Sequence, residues 1–90
     1  MVKEVEQFYW EGKPQINQII VNTDKGYYFV SYGLVVAAKL ADRVQLAYNW
    51  NYSKTTAKWT TRFLGCTSSK EVRDRIKSGE YDIVARIVIE

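Results

Sequence analysis

Ninety residues, 47% apolar and 26% charged, make one small folded domain, residues 1–90, and exclude a disordered chain. A domain of this length buries roughly two-thirds of the surface its unfolded chain exposes, which leaves little room for a deep enclosed active site. Cys66 is the single cysteine, no histidine is present and the net charge is +3, so an internal disulfide and a cysteine metal cage are both excluded.

The opening MVKEVEQFYW carries acids where a signal peptide needs a basic and then an apolar run. The longest apolar run, Leu34–Ala38, is far shorter than a membrane span. The expected location is the cytoplasm, with no membrane partner. The modest charge is unevenly spread. Residues 43–70 hold five bases and no acid, whereas residues 1–42 and 71–90 each hold four bases and five acids. The whole positive excess therefore lies in the middle third.

In chain order, KEVEQFYW (3–10) reads as a first strand, Pro14 marks a turn or an edge-strand start, and INQIIVN (16–22) reads as a second strand. TDKG then supplies a turn. YYFVSYGLVVAAKL (27–40) reads as one long strand bent at Gly33, beyond which Leu34, Val36, Ala38 and Leu40 share a face. After a turn at ADR, VQLAYNW (44–50) alternates cleanly, with Val44, Leu46, Tyr48 and Trp50 on one side.

Ser53 is a good N-cap for a first helix that Gly65 stops. Ser68 and Glu71 form a capping box for a second helix, closed at Gly79, with Val72 and Ile76 as its apolar stripe. YDIVARIVIE (81–90) alternates as a final strand, with Tyr81, Ile83, Ala85, Ile87 and Ile89 on one face. The expected fold class is α+β: an antiparallel sheet of four to five strands with two short helices on one side, in the order β-β-β-(β)-α-α-β. A monomer or a homodimer is expected, with residues 81–90 as the edge that would pair in a dimer.

The first helix lines up Lys54, Lys58 and Arg62 at spacings of four with no acid to balance them, a mildly destabilising arrangement. On a helical wheel Trp59, Phe63, Thr56, Thr60, Leu64 and Ala57 fill the packing face, and the cations share the outer side with Thr55 and Thr61. Cations flanked by hydroxyls suit contact with nucleic-acid phosphates or an acidic protein surface. The competing reading is an ordinary solvated helix face. Arg43 adds to the same basic segment. Tyr52, and the strand face of Tyr27, Phe29 and Ser31, read as exposed aromatic platforms, while Tyr48, Trp50 and Trp59 read as core.

Catalytic chemistry is sparse. The commonest general base is missing, no Gly-rich phosphate loop occurs, and the acids are scattered. Cys66 lacks a histidine partner and reads as an inert thiol. No enzyme, no cofactor and no metal site are expected.

YYFVSY, NWNYSKTTAKW, RFLG and SKEVRDRIKSGEY together resemble small, functionally uncharacterised proteins of tailed phages and prophages of Gram-positive bacteria. The resemblance covers most of residues 27–81. It rests on an SY pair before an apolar strand, here Ser31-Tyr32, and on W-x-Y-S-x-T-T, here Trp50, Tyr52, Ser53, Thr55 and Thr56. Gly33-Leu34 departs from the polar pair usual after SY. The resemblance implies a phage setting in a host cytoplasm and no activity. The expected function is stoichiometric binding to another protein of host or phage, with inhibition of host defence, an anti-CRISPR-like role, as one form of it. The alternative is nucleic-acid binding through the basic helix, residues 53–64.

Overall fold

The computed structural model describes all 90 residues. Five strands run as an antiparallel meander, each hydrogen-bonded to the next: β1 (Val2–Trp10), β2 (Lys13–Thr23), β3 (Gly26–Ser31), β4 (Leu34–Leu40) and β5 (Val44–Ala47). Two helices, α1 (Lys54–Phe63) and α2 (Ser69–Lys77), then carry the chain to β6 (Tyr81–Val84), which pairs parallel to β5. A parallel partner requires a long crossover, and the two helices supply it. The α+β class and the helix positions hold. The sheet has six strands, mostly antiparallel, in the order β1-β2-β3-β4-β5-β6.

The additional strand arises at Gly33, where the expected long strand is a hairpin. Tyr32 (φ 51°) and Gly33 (φ 80°) occupy the two central positions of a two-residue turn. Positive φ at both positions gives a type I′ turn, whose twist matches that of the strands it joins. The usual Asn-Gly signature of that turn is absent, so the sequence reads as continuous strand.

Within this hairpin Phe29 lies opposite Ala37 and Val30 opposite Val35, leaving Val36 as a bulged residue. The expected shared face of Leu34, Val36, Ala38 and Leu40 is therefore broken. Val36 and Ala37 both turn toward the helices, while Ala38 and Leu40 pack on the opposite side.

Each face of the sheet carries a buried apolar cluster. On one, Phe8, Phe29, Val36, Ala37, Leu46 and Tyr81 pack against Trp59 and Phe63 of α1, Val72 of α2, and Trp50 and Cys66 of the flanking loops. On the other, Val21, Tyr28, Val30, Ala38 and Ala47 pack with Ile87. The expected final strand 81–90 thus ends at Val84, and the following residues fold beneath the sheet. β5, the only neighbour of β6, stops at Ala47, so no ladder exists beyond Val84, and Ile87 finds apolar surface on the second face instead. The early end of β5 also overturns the expected strand 44–50. Tyr48 leaves the alternation and is exposed, whereas Trp50 is buried through a turn in which its N–H donates to the Ala47 carbonyl.

Local capping fixes the helices as the sequence predicts. Ser53 accepts from the Thr56 N–H at 3.1 Å, and Ser68 from the Glu71 N–H at 3.2 Å. The returning arm of the second cap differs slightly: Glu71 Oε1 accepts from the Thr67 N–H (3.1 Å) and hydroxyl (2.9 Å) rather than from Ser68. These two bonds hold the Glu71 carboxyl below its ordinary pKa. No helix is long and apolar enough to cross a membrane.

Candidate binding surface

Lys54, Thr55 and Lys58 stand exposed along the outer edge of α1, and Arg62 is half-buried at its end. The fold brings no acid to them. The ion pairs of the protein lie elsewhere: the N-terminus and Lys3 with Asp24, Arg43 with Asp42, and three pairs on and beside α2. Two of the ridge cations rest on aromatic faces instead, Lys58 Nζ at 4.6 Å from the Trp59 ring and the Arg62 guanidinium at 5.1 Å from the Trp10 ring. Each such contact contributes about 0.5–1 kcal/mol at an exposed site, enough to offset like-charge repulsion of about 0.2–0.5 kcal/mol per pair. The helix tolerates its cation ladder because aromatic rings seat two of its members.

Thr61 lies beside Lys58 and Arg62, as expected, but at the buried floor of that side. The Cys66 N–H donates to the Thr61 carbonyl at 3.0 Å as the chain folds back toward α2, and Thr61 is buried with its hydroxyl donating to the Ala57 carbonyl. This return places Thr67, Ser68 and Ser69 beside Lys58, Thr61 and Arg62 around a polar notch of about 170 Å³. Arg43 lies in the β4–β5 turn, 3.8 Å from Asp42, and lines neither this notch nor the cleft described below.

The two motifs Ser31-Tyr32 and Trp50–Thr56 meet in space. The Ser31 and Thr56 hydroxyls are 3.0 Å apart and fully buried. Above them Tyr32 and Tyr52, each about half exposed, border a shallow depression with Ser53 and Thr55 at the start of α1.

The expected platform of Tyr27, Phe29 and Ser31 requires correction. These residues do share a strand face, but it is the face the helices cover. Thr56 sits over Ser31 and Phe63 sits over Phe29, so α1 runs along β3 and buries both. Phe29 is 0% exposed, stacked on Phe63 at 5.2 Å and edge-on to Phe8 at 5.3 Å, and it can contact no partner. α1 ends there, so Tyr27 remains 47% exposed.

The uncovered sheet beyond the helix end forms a cleft of about 290 Å³. Phe8, Trp10, Ile20 and Phe63 line its apolar part, and Tyr27, Lys39 and Arg62 its margin. Lys39 Nζ donates to the Phe63 carbonyl at 2.7 Å and lies 4.5 Å from the Phe63 ring. It thus complements the negative end of the α1 dipole, while burial pulls its pKa below the ordinary lysine value. Trp10 and Lys39 are absent from the sequence candidates. A lysine interrupting the apolar run of VVAAKL, and the aromatic cluster of QFYW, are the signals that point to them.

On β1, Glu4 and Glu6 stand two apart on the helix-facing side, Glu6 beside the cleft residue Ile20. A hydrogen bond and charge repulsion from Glu4 raise the Glu6 pKa. Cys66 is buried with Sγ 3.5 Å from Tyr81 Oη, and burial together with that contact pushes Tyr81 up to about 12. No group of three His, Cys, Asp or Glu side chains lies close enough together to hold a metal ion.

A model of a family of unknown function (DUF8033) matches residues 4–79, and the chain belongs to that family. No curated protein and no solved structure matches it.

Proposed function

We propose that this family member is a non-enzymatic binding protein that acts by stoichiometric contact with another protein through the outer edge of α1. The observation that carries this reading is the unpaired state of Lys54, Lys58 and Arg62, which meet no carboxylate within the fold. Three cations held along one edge, two of them on aromatic faces, suit an acidic protein surface. The motif resemblance to small phage and prophage proteins supports a host-cytoplasm setting and a target in host defence.

Nucleic-acid binding is the second reading, favoured by the notch where Lys58 and Arg62 meet the hydroxyls of Thr67, Ser68 and Ser69. Against it, Glu71 already occupies the N-terminus of α2, with its carboxylate on the Thr67 N–H and hydroxyl. A phosphate there would face that carboxylate.

The test replaces Lys54, Lys58 and Arg62 together by Ala. A protein captured from Gram-positive cell lysate at fixed stoichiometry by the wild type and lost by the triple variant supports the first reading. DNA binding with a log–log salt slope of roughly −2 to −3 that the triple variant abolishes supports the second. A triple variant that retains every partner reduces the ridge to a solvated helix face.

A further inference from the structure

We propose that the cleft between β1 and the C-terminal end of α1 is an anchor pocket for one aromatic side chain of an acidic segment of the partner protein. The proposal rests on the protein-binding reading above and names the chemistry of that partner.

The cleft offers two things side by side. Phe8, Trp10, Ile20 and Phe63 provide apolar and aromatic walls over about 290 Å³, the scale of one large side chain rather than of a whole drug-sized ligand. Lys39 and Arg62 place two cations at its margin, and no acid lines it. Lys39 spends one of its three donors on the Phe63 carbonyl and makes no other hydrogen bond. Neither cation has a carboxylate partner within the fold. A partially desolvated lysine without a counter-ion gains more from an incoming carboxylate than a solvated one does.

Charge complementarity selects a peptide rather than a nucleic acid as occupant. Glu4 and Glu6 stand on the helix-facing side of β1, Glu6 beside Ile20 and two residues before Phe8, three strands away from Lys39 on β4. A polyanion crossing the sheet from Lys39 toward β1 would meet this acid pair, whereas a peptide carries acidic residues only where they are needed. Arg62 also lines the polar notch beside Lys58, so cleft and ridge form one continuous surface. That continuity favours a segment of a larger partner over a free small molecule. Aromatic anchors in such pockets commonly dominate interface energetics.

The experiment titrates the isotope-labelled chain with the capped tetrapeptide Asp-Asp-Trp-Asp and follows amide and indole N–H resonances. Its controls are Asn-Asn-Trp-Asn, Asp-Asp-Ala-Asp and an oligothymidylate. The expected result is shifts centred on the Trp10 indole, Tyr27, Lys39 and Arg62, with affinity at least about tenfold weaker for either peptide control. Lys39→Met, which keeps the stem and removes one of the two charges, reduces the preference for Asp over Asn while keeping that for Trp over Ala. Arg62→Gln serves as the second variant should Lys39→Met fold poorly.

Three results overturn the proposal: no shifts at about 10 mM peptide, equal binding of all three peptides, or tighter binding of the oligothymidylate at the same resonances. Lys54→Ala/Lys58→Ala, which leaves the cleft untouched, separates the two failures. If the tetrapeptide fails but this double variant loses the captured partner, only the pocket is wrong. If the tetrapeptide binds and the double variant loses nothing, the ridge reading fails and the pocket stands.

Discussion

The Ser31 hydroxyl and the Thr56 hydroxyl lie 3.0 Å apart, both completely buried, and join the last residue of β3 to the first turn of α1. One turn further along, Thr60 is equally buried, yet its hydroxyl has no partner in the protein. This contrast predicts opposite responses to one chemical change. Thr56→Val strands the Ser31 hydroxyl and should cost about 1–3 kcal/mol, whereas Thr60→Val strands nothing and should be near neutral or stabilising. The double variant Ser31→Ala/Thr56→Val should cost less than the sum of its singles. Urea denaturation of the four variants checks all three statements.

Glycine substitutions separate backbone strain from collision. Gly33 has φ 80° with open space around its Cα, so Gly33→Ala should cost about 1 kcal/mol, from backbone conformation alone. At Gly26 (φ 146°) a Cβ would also run into the Lys39 carbonyl oxygen. Gly26→Ala should therefore cost more, upward of about 2 kcal/mol, because strand pairing with β4 must shift. Equal melting temperatures for the two variants would contradict this account.

Two aromatic residues on one strand face should behave differently on truncation. Phe29→Ala removes a ring packed between Phe8 and Phe63 and should cost about 3–5 kcal/mol. Tyr27→Ala, beyond the end of the helix, should change stability by no more than about 0.5 kcal/mol, while weakening any ligand of the cleft. Thermal denaturation and the peptide titration together check the pair.

Alkaline stability should report on Tyr81. Its folded pKa of about 12 lies above the ordinary 10.0 because burial disfavours the phenolate. Between these values the unfolded chain releases the phenolic proton and the folded chain keeps it, so the unfolded state binds fewer protons and stability falls as pH rises. The contribution is fully present below about pH 10 and lost by about pH 12. Tyr81→Phe removes this dependence, so its denaturation midpoint should change less over the window than that of the wild type. The tyrosinate absorbance missing from the variant should develop near pH 12.

What the sequence determined by itself was whatever depends on near neighbours in the chain. Both helices begin at Ser53 and Ser68 as expected, because a cap is a hydrogen bond between residues three apart. The cation ladder of Lys54, Lys58 and Arg62 follows from helical spacing, and the α+β class from the succession of alternating and helical segments. Tertiary structure decided the rest, because the groups concerned meet only across long separations. Tyr32-Gly33 became a hairpin turn through pairing of β3 with β4, and Val36 left its strand face because a bulge set the register. Residues 85–90 left the sheet because β5 ends at Ala47, which no local pattern of YDIVARIVIE encodes. Phe29 and Tyr27 have the same place in the strand alternation, and only the point at which α1 stops makes one core and the other surface. The cleft draws on β1, β2, β3, β4 and the last turn of α1, so its cations and aromatic walls acquire a common purpose only once the chain has folded.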